Sequence, residues 1–232
     1  MKSSVTRTER CLITGFDAFG KYSANPSQRI AESLPEEFKI PRSNVAVQID
    51  TLVVPTCCNE SWKKISKQLS KEKYSSLILV GLSGGRPRIS LERFALNIRD
   101  YGIKDNNGHQ YDGTLIYKGE PDALKTDLPL TDLRRLLRGK KFPVEVSNFA
   151  GSFICNEVFY HGLHYQKQNK ELKSVLFVHV PQLRDYAKTL VEAKHESMRG
   201  MKTPAAKDKQ ALQVMTDCVQ EIASFCSKIA AK

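Results

Sequence analysis

The amino-acid sequence predicts an α/β protein built on a largely parallel sheet, and three observations carry that expectation. Short apolar runs, LILVG at 77–81 and SVLFVHV at 174–180 among them, have the length of strands buried on both faces. Stretches of helical polarity separate such runs, so strands and helices alternate along the chain as they do in βαβ units. The 232 residues, 41% of them hydrophobic, suffice for one large core and are few for two, so residues 1–232 are expected to form a single domain.

The elements follow in order. CLIT (11–14) is a short buried strand. NPSQRIAESL (25–34) is a helix in which Asn25 is suited to the N-cap and Pro26 to the first helical position. VAVQIDTLVV (45–54) alternates as a strand does, residues 59–73 carry helical polarity, and LILVG ends a strand on glycine. After RFALNIRDYG, the polar and turn-rich DNNGHQYDGT reads as a hairpin or excursion from the main sheet over about 98–120. TDLRRLL (131–137) is helical, VEVSN (144–148) is a strand, residues 155–168 form a helix, and SVLFVHV is a last buried strand. A final helix is expected over about 208–230.

Composition narrows the setting. No apolar run approaches the ~20 residues of a membrane span, and MKSSVTRTER lacks the apolar core of a signal peptide, which points to a cytoplasmic protein. Six cysteines (Cys11, Cys57, Cys58, Cys155, Cys218, Cys226) show no paired zinc spacing, so free thiols in a reducing compartment and no metal are expected. The net charge of +11 raises the question of nucleic acid. Lys63, Lys67 and Lys71 share one helical face, and Arg134, Arg135, Arg138, Lys140 and Lys141 crowd another helix end, but no aromatic stacking pattern accompanies them. A solvated basic surface, with no nucleic-acid partner and no membrane, is the expectation.

In sheets of this kind sites gather at the carboxyl ends of strands. Four junctions qualify: TGFDAFG, GLSGGR, NFAGSFIC and HVP. Cys155 stands at a helix start, where unpaired N–H groups and the helix dipole favour a thiolate, and Ala150, Gly151 and Ser152 let the backbone turn tightly and leave donors for an oxyanion. A cysteine there is either a small buried hydrophobe or a nucleophile. His179, inside the apolar strand VLFVHVP, needs a partner, and with Cys155 it fits the cysteine and histidine arrangement of nucleophilic catalysis. Glu92, among Leu91, Phe94 and Leu96, is the best acidic candidate to orient the imidazole, the alternative being a glutamate paired with Arg93. GLSGGR matches neither dinucleotide nor P-loop spacing, and a tight turn explains its glycines. His161 and His164, three apart on one helix without a third acidic ligand nearby in sequence, read as packing or surface residues rather than metal ligands.

Taken together, these segments resemble the pyroglutamyl-peptidase I, or pyrrolidone-carboxylate peptidase, family of cysteine peptidases. TGFDAFG followed by NPS resembles the family's TGF-x-x-FG and NPS pattern. VGLSGGRPRISLERFALN resembles its GxxGGR and ERxAxN segment, VSNFAGSFICN its SxxAGxYxCN nucleophile motif, and FVHVP its HVP segment. The resemblance runs from residue 11 to about 183. It implies a three-layer sandwich with the sheet between helices, a Cys155/His179/Glu92 triad, and removal of an N-terminal pyroglutamyl residue from peptides without a cofactor. It also implies that Phe16 and Phe19 flank the pyroglutamyl pocket and that Arg93, with the backbone N–H of Cys155, supports the oxyanion. The chain departs from the pattern at Leu82, where the family often has glutamine, and in a longer polar segment around 188–208, read as an insertion. Family members are often homo-oligomers, and the lengthened C-terminus leaves that open here.

A pyroglutamyl ring is small, flat and uncharged, so its pocket needs apolar walls and a few placed hydrogen bonds, which aromatic residues on a loop at the sheet's carboxyl edge can supply. Two other functions stay open on the sequence: a nucleoside phosphorylase-like transferase on a similar sheet, and a noncatalytic basic binding protein.

Overall fold

The computed structural model describes residues 7–20 and 24–231. The chain runs through β1 (Arg7–Phe16), α1 (Pro26–Ser33), β2 (Glu37–Lys39), β3 (Val45–Val54), α2 (Glu60–Lys71), β4 (Ser76–Leu82) and β5 (Ile89–Glu92). It continues with β6 (Phe94–Leu96), β7 (Ala123–Lys125), α3 (Leu130–Gly139), β8 (Val144–Ser147), α4 (Ile154–Gln168), β9 (Ser174–Val180), α5 (Leu183–Glu192) and α6 (Pro204–Ala230). Seven strands form one sheet in the order β2-β3-β1-β4-β9-β5-β8. Strands β3, β1, β4 and β9 are parallel, β2 is an antiparallel edge, and β5 and β8 run parallel to each other but opposite to β9.

Alternation along the strands sorts the core into two layers. Cys11 and Ile13 of β1, Ile78 and Val80 of β4, and Leu176 and Val178 of β9 pack with Ile30, Leu133, Leu190, Val219 and Ile222, so α1, α3, α5 and α6 cover one face. Leu12 and Phe16, Leu77 and Leu79, and Val175 and Phe177 pack with Ile65, Val158, Phe159 and Leu163, so α2 and α4 cover the other. The expected mostly parallel sheet between helices is what the chain forms.

Several boundaries differ from the expectation, each for a physical reason. Strand β1 starts four residues before CLIT, because charged Arg10 finds Asp50 at 2.8 Å and the strand extends beyond its apolar run. The expected hairpin near 98–120 is wider: β6 and β7 pair antiparallel as a separate two-stranded sheet, and a long excursion, bridged at Arg99 and Thr114, fills the space between. Helix α6 begins at Pro204 rather than near 208, because Thr203 caps it by accepting the Ala206 N–H at 3.2 Å. The segment around 188–208 holds the end of α5, a 3₁₀ turn at Glu196–Met198 and the start of α6, with Leu190 and Met198 buried. Among the described residues no helix is long and apolar enough to cross a membrane.

Helix α1 is held where the sequence places it. Asn25 caps it, its Oδ1 accepting the Ser27 N–H at 3.1 Å, while Ser27 Oγ accepts the Phe16 N–H at 3.0 Å. That pairing draws the helix onto β1, and a Cβ at Gly15 would land on the Ser27 backbone carbonyl. Gly15→Ala is therefore expected to force β1 and α1 apart at the overpacking cost of ~1–3 kcal/mol, lowering the thermal midpoint by roughly 5 °C. An unchanged midpoint in a thermal melt would show that the approach is not needed.

Candidate active site

Strand alternation brings the sequence-predicted residues to one face. His179 and Phe177 of β9 lie on the face covered by α2 and α4, and so does Gly81, the register partner of His179 on β4. On β5, Ile89 and Leu91 face the opposite core, which turns Ser90 and Glu92 toward His179. His179 Nδ1 lies 2.8 Å from Glu92 Oε1, and Arg86 Nη1 donates to the same oxygen at 2.5 Å. Arg86 Nη2 reaches the Phe149 carbonyl at 2.7 Å, tying the β4–β5 loop to the turn before α4. A carboxylate with no exposure requires such partners. Its bond to Nδ1 places the imidazole proton there and leaves Nε2 with a free lone pair, the state a general base needs.

Cys155 is the second residue of α4. Gly151, at φ 85°, turns the chain into the helix, and the N-cap residue Phe153 contributes no side-chain hydrogen bond, so the first backbone N–H groups stay available to an anion. A Cβ at Gly81 would lie 3.0 Å from Cys155 Sγ and 2.7 Å from the Phe177 ring. The sulfur therefore sits directly over the Gly81 backbone, beside the strand that carries His179. No hydrogen bond joins Sγ to the imidazole among the described residues.

The charge state differs from the helix-start expectation of a thiolate. Burial first, then the charge of Glu92, pushes the Cys155 thiol up to about 12, against its own backbone N–H and Arg86. Burial pushes His179 below its ordinary value against the pull of Glu92, and Arg86 adds to the lowering. Burial thus works against the helix-start donors at Cys155 and favours the neutral forms of both Cys155 and His179.

Cys155 lines a cavity of about 200 Å³ together with Phe16, Phe19, Phe153, Leu82 and Thr56. Phe19 and Phe153 face each other with ring centroids 5.2 Å apart. Asp17 Oδ1 accepts the Thr56 N–H at 2.8 Å and its hydroxyl at 2.9 Å, which joins the Phe16–Phe19 loop to the loop after β3. Leu82 contributes an apolar wall.

Arg93 is not brought to this group: its Nη1 donates to Asn148 Oδ1 at 2.7 Å. Side chains alternate along an extended segment, so the residue after inward-facing Glu92 turns away, and Arg86 occupies the place beside the carboxylate. Sequence reasoning missed Arg86 by reading GLSGGR as backbone alone, and missed Phe153, whose signal was an aromatic residue two before the cysteine. His161 and His164 do have acidic neighbours, Glu157 at 3.7 Å and Glu120 at 3.3 Å, but different ones, and His161 Nδ1 is bound to Tyr117. No cluster able to hold a metal occurs among the described residues.

The family model described as pyroglutamyl peptidase matches residues 9–216. Pyrrolidone-carboxylate peptidase of Brachyspira hyodysenteriae is 37% identical over 177 residues, 76% of this chain and 85% of the relative. That of Finegoldia magna is 30% identical over 213 residues, 92% of this chain and 96% of the relative. Among solved structures, pyrrolidone carboxyl peptidase from Fervidobacterium islandicum superposes with a TM-score of 0.76 at 29% identity, covering 92% of this chain and 96% of that one. Pyroglutamyl peptidase I from Bacillus amyloliquefaciens does so with a TM-score of 0.75 at 26% identity, covering 93% and 97%.

The charge state is open to measurement. The rate of iodoacetamide attack on Cys155, followed by mass spectrometry, is expected to climb with pH through neutrality and on toward 12, as it does for a thiol pushed up by burial. A rate already on a plateau between about pH 5 and 8 would mean a preformed thiolate–imidazolium pair.

Proposed function

The chain belongs to the pyroglutamyl peptidase family, and we propose that Cys155, His179 and Glu92 are the nucleophile, proton shuttle and orienting acid of its peptidase chemistry. The protein hydrolyses the amide bond that follows an N-terminal pyroglutamyl residue. The observation that carries the assignment is the 2.8 Å contact of His179 with buried Glu92 on the face where Cys155 Sγ rests over Gly81.

His179 Nε2 takes the thiol proton as Sγ bonds to the scissile carbonyl carbon, and the negative charge moves to the carbonyl oxygen. The free N–H groups at the start of α4, that of Cys155 among them, are the donors this reading assigns to it. The C–N bond then breaks, and the departing amine takes the proton from Nε2. The remaining pyroglutamyl thioester is attacked by water, which gives a proton to Nε2 as its oxygen bonds to carbon. Sγ leaves, recovers the proton, and pyroglutamate is released. Arg86 acts through Glu92, whose charge stabilises the transient imidazolium. The lactam ring sits against Phe16, Phe19 and Phe153, with Leu82 closing one side. Six free cysteines support a reducing, cytoplasmic location. A phosphate-dependent transferase would have no use for Cys155, and a noncatalytic protein none for its placement over Gly81.

Release of a fluorophore from a pyroglutamyl amide tests the roles. Cys155→Ala and His179→Ala are expected to abolish turnover, whereas Glu92→Gln keeps a residue of it, since nucleophile and base remain but lose alignment. Full turnover in a folded Cys155→Ala protein would end the assignment. Because a protonated imidazole cannot accept the thiol proton, kcat/KM is expected to fall as pH drops through a His179 value below 6.5.

Gly81→Ala is a separate probe of placement. The added methyl would press on Sγ and the Phe177 ring, and a nucleophile shifted by about 1 Å loses roughly 100-fold in kcat. Undiminished kcat in that variant would mean that Sγ works from another position.

A further inference from the structure

Glu157 lies two residues beyond Cys155 on α4, is 1% exposed, and takes no part in the steps above. Its carboxylate gathers two other segments of the chain. Oε1 accepts the Asn59 N–H at 2.9 Å, and Oε2 accepts Arg99 Nε at 2.9 Å and the Tyr101 hydroxyl. Cys58 Sγ lies 3.3 Å from Oε2, and Arg99 Nη2 also donates to Asn59 Oδ1 at 3.0 Å. Burial alone would raise this carboxyl, but His161, Tyr101, Arg99 and the Asn59 N–H hold it down at about 2, so it is charged throughout the working range.

Each gathered segment continues to the cavity. The Tyr101 ring packs edge-on against Phe153 at 4.7 Å, and Phe153 faces Phe19. Cys58 and Asn59 follow Thr56 in the loop after β3. Asp105 of the excursion accepts the Cys58 N–H at 2.7 Å, and Asn106 donates its backbone N–H to the Thr56 carbonyl at 3.1 Å and its Nδ2 to the Ala18 carbonyl at 3.0 Å. The excursion, the loop after β3 and the loop bearing Phe16 and Phe19 therefore close on one another around two buried carboxylates, Glu157 and Asp105.

We propose that Glu157 is a positioning residue for the lactam pocket: through Tyr101 it holds Phe153 against Phe19, through Asn59 it fixes Thr56, and it thereby sets affinity for the pyroglutamyl ring without touching ring or thiol. The proposal rests on the pyroglutamyl pocket assigned above. The nucleophile does not depend on this charge, because Gly151, Gly81 and the start of α4 place it from the other side.

Glu157→Gln keeps the shape, removes the charge and strands Arg99, which is 12% exposed, without a counterion. Two readouts separate affinity from chemistry: the concentration of 2-pyrrolidinone that half-protects Cys155 from iodoacetamide, and KM against kcat on a pyroglutamyl amide well below the thermal midpoint. Both the half-protecting concentration and KM are expected to rise about tenfold, with kcat and the alkylation rate without lactam within about twofold of the parent. A lower thermal midpoint with KM and protection unchanged would overturn the proposal, since Glu157 would then be a structural hub only. A fall in kcat and in lactam-free alkylation at constant KM would overturn it too. Should the glutamine variant fail to fold, Tyr101→Phe keeps the ring against Phe153 and loses only the bond to the carboxylate. It is expected to raise KM about threefold, and an unchanged KM overturns the proposal. Absence of any lactam protection and of turnover in the parent protein would instead remove the pocket assignment, and the proposal with it.

Discussion

The buried contact between Glu92 and His179 imposes its requirements on much of the surrounding fold. A carboxylate with no exposure needs strong donors, and here Oε1 carries both the imidazole N–H and Arg86 while Oε2 meets none among the described residues. Meeting that requirement needs β5 next to β9, with its polar side chains turned to the α2 and α4 face. The direction of β5 and β8, opposite to the parallel strands β3, β1, β4 and β9, achieves it, since the short loop after β4 returns Glu92 beside the end of β9 without a crossover helix. Arg86, on that loop, then binds the Phe149 carbonyl and so links the acid to the turn that launches the nucleophile helix.

Two charged centres divide the work of holding the site. Glu92 with Arg86 serves the imidazole and the turn before α4. Glu157 with Arg99 serves the loops around the cavity. Each pair is largely shielded from water, so each is costly to break and leaves a buried charge unmatched when one partner is removed. Between them lies Cys155, whose position is set by close packing rather than by hydrogen bonds: the missing Cβ at Gly81 is the space the sulfur uses.

Much of this was legible in the sequence, for reasons that can be named. The strand at 174–180 is found as expected because its apolar run has no charged interruption, and the strand at 45–54 because its alternation carries on through Asp50. Strand β1 was read short because Arg10 breaks its pattern, and only the fold supplies Asp50 to pair with it. Cys155, His179 and Glu92 stood out because each is a reactive or charged group among apolar neighbours. Arg93 is adjacent to Glu92 in sequence but not in space, because the alternation of an extended segment turns it toward Asn148 and Arg86 takes the place beside the carboxylate. Glu157 was invisible, since a glutamate on a helix carries no local sign that Asn59, Arg99 and Tyr101, 98, 58 and 56 residues away, will converge on it.

The raised thiol has a consequence for how the site gains reactivity. A free thiolate would be attacked by any electrophile reaching the cavity, whereas a thiol beside a neutral imidazole stays quiet until proton transfer is coupled to bond formation. In the proposed mechanism coupling requires the carbonyl carbon to be held over Sγ, a hold assigned there to the aromatic walls around the lactam ring. Glu92 is already bonded to Nδ1, so an imidazolium formed in that mechanism meets its counter-charge at no cost in reorganisation. The enclosure that disfavours the resting thiolate thus also strengthens the interactions that the charged transition state meets, so reactivity depends on a substrate that fills the pocket.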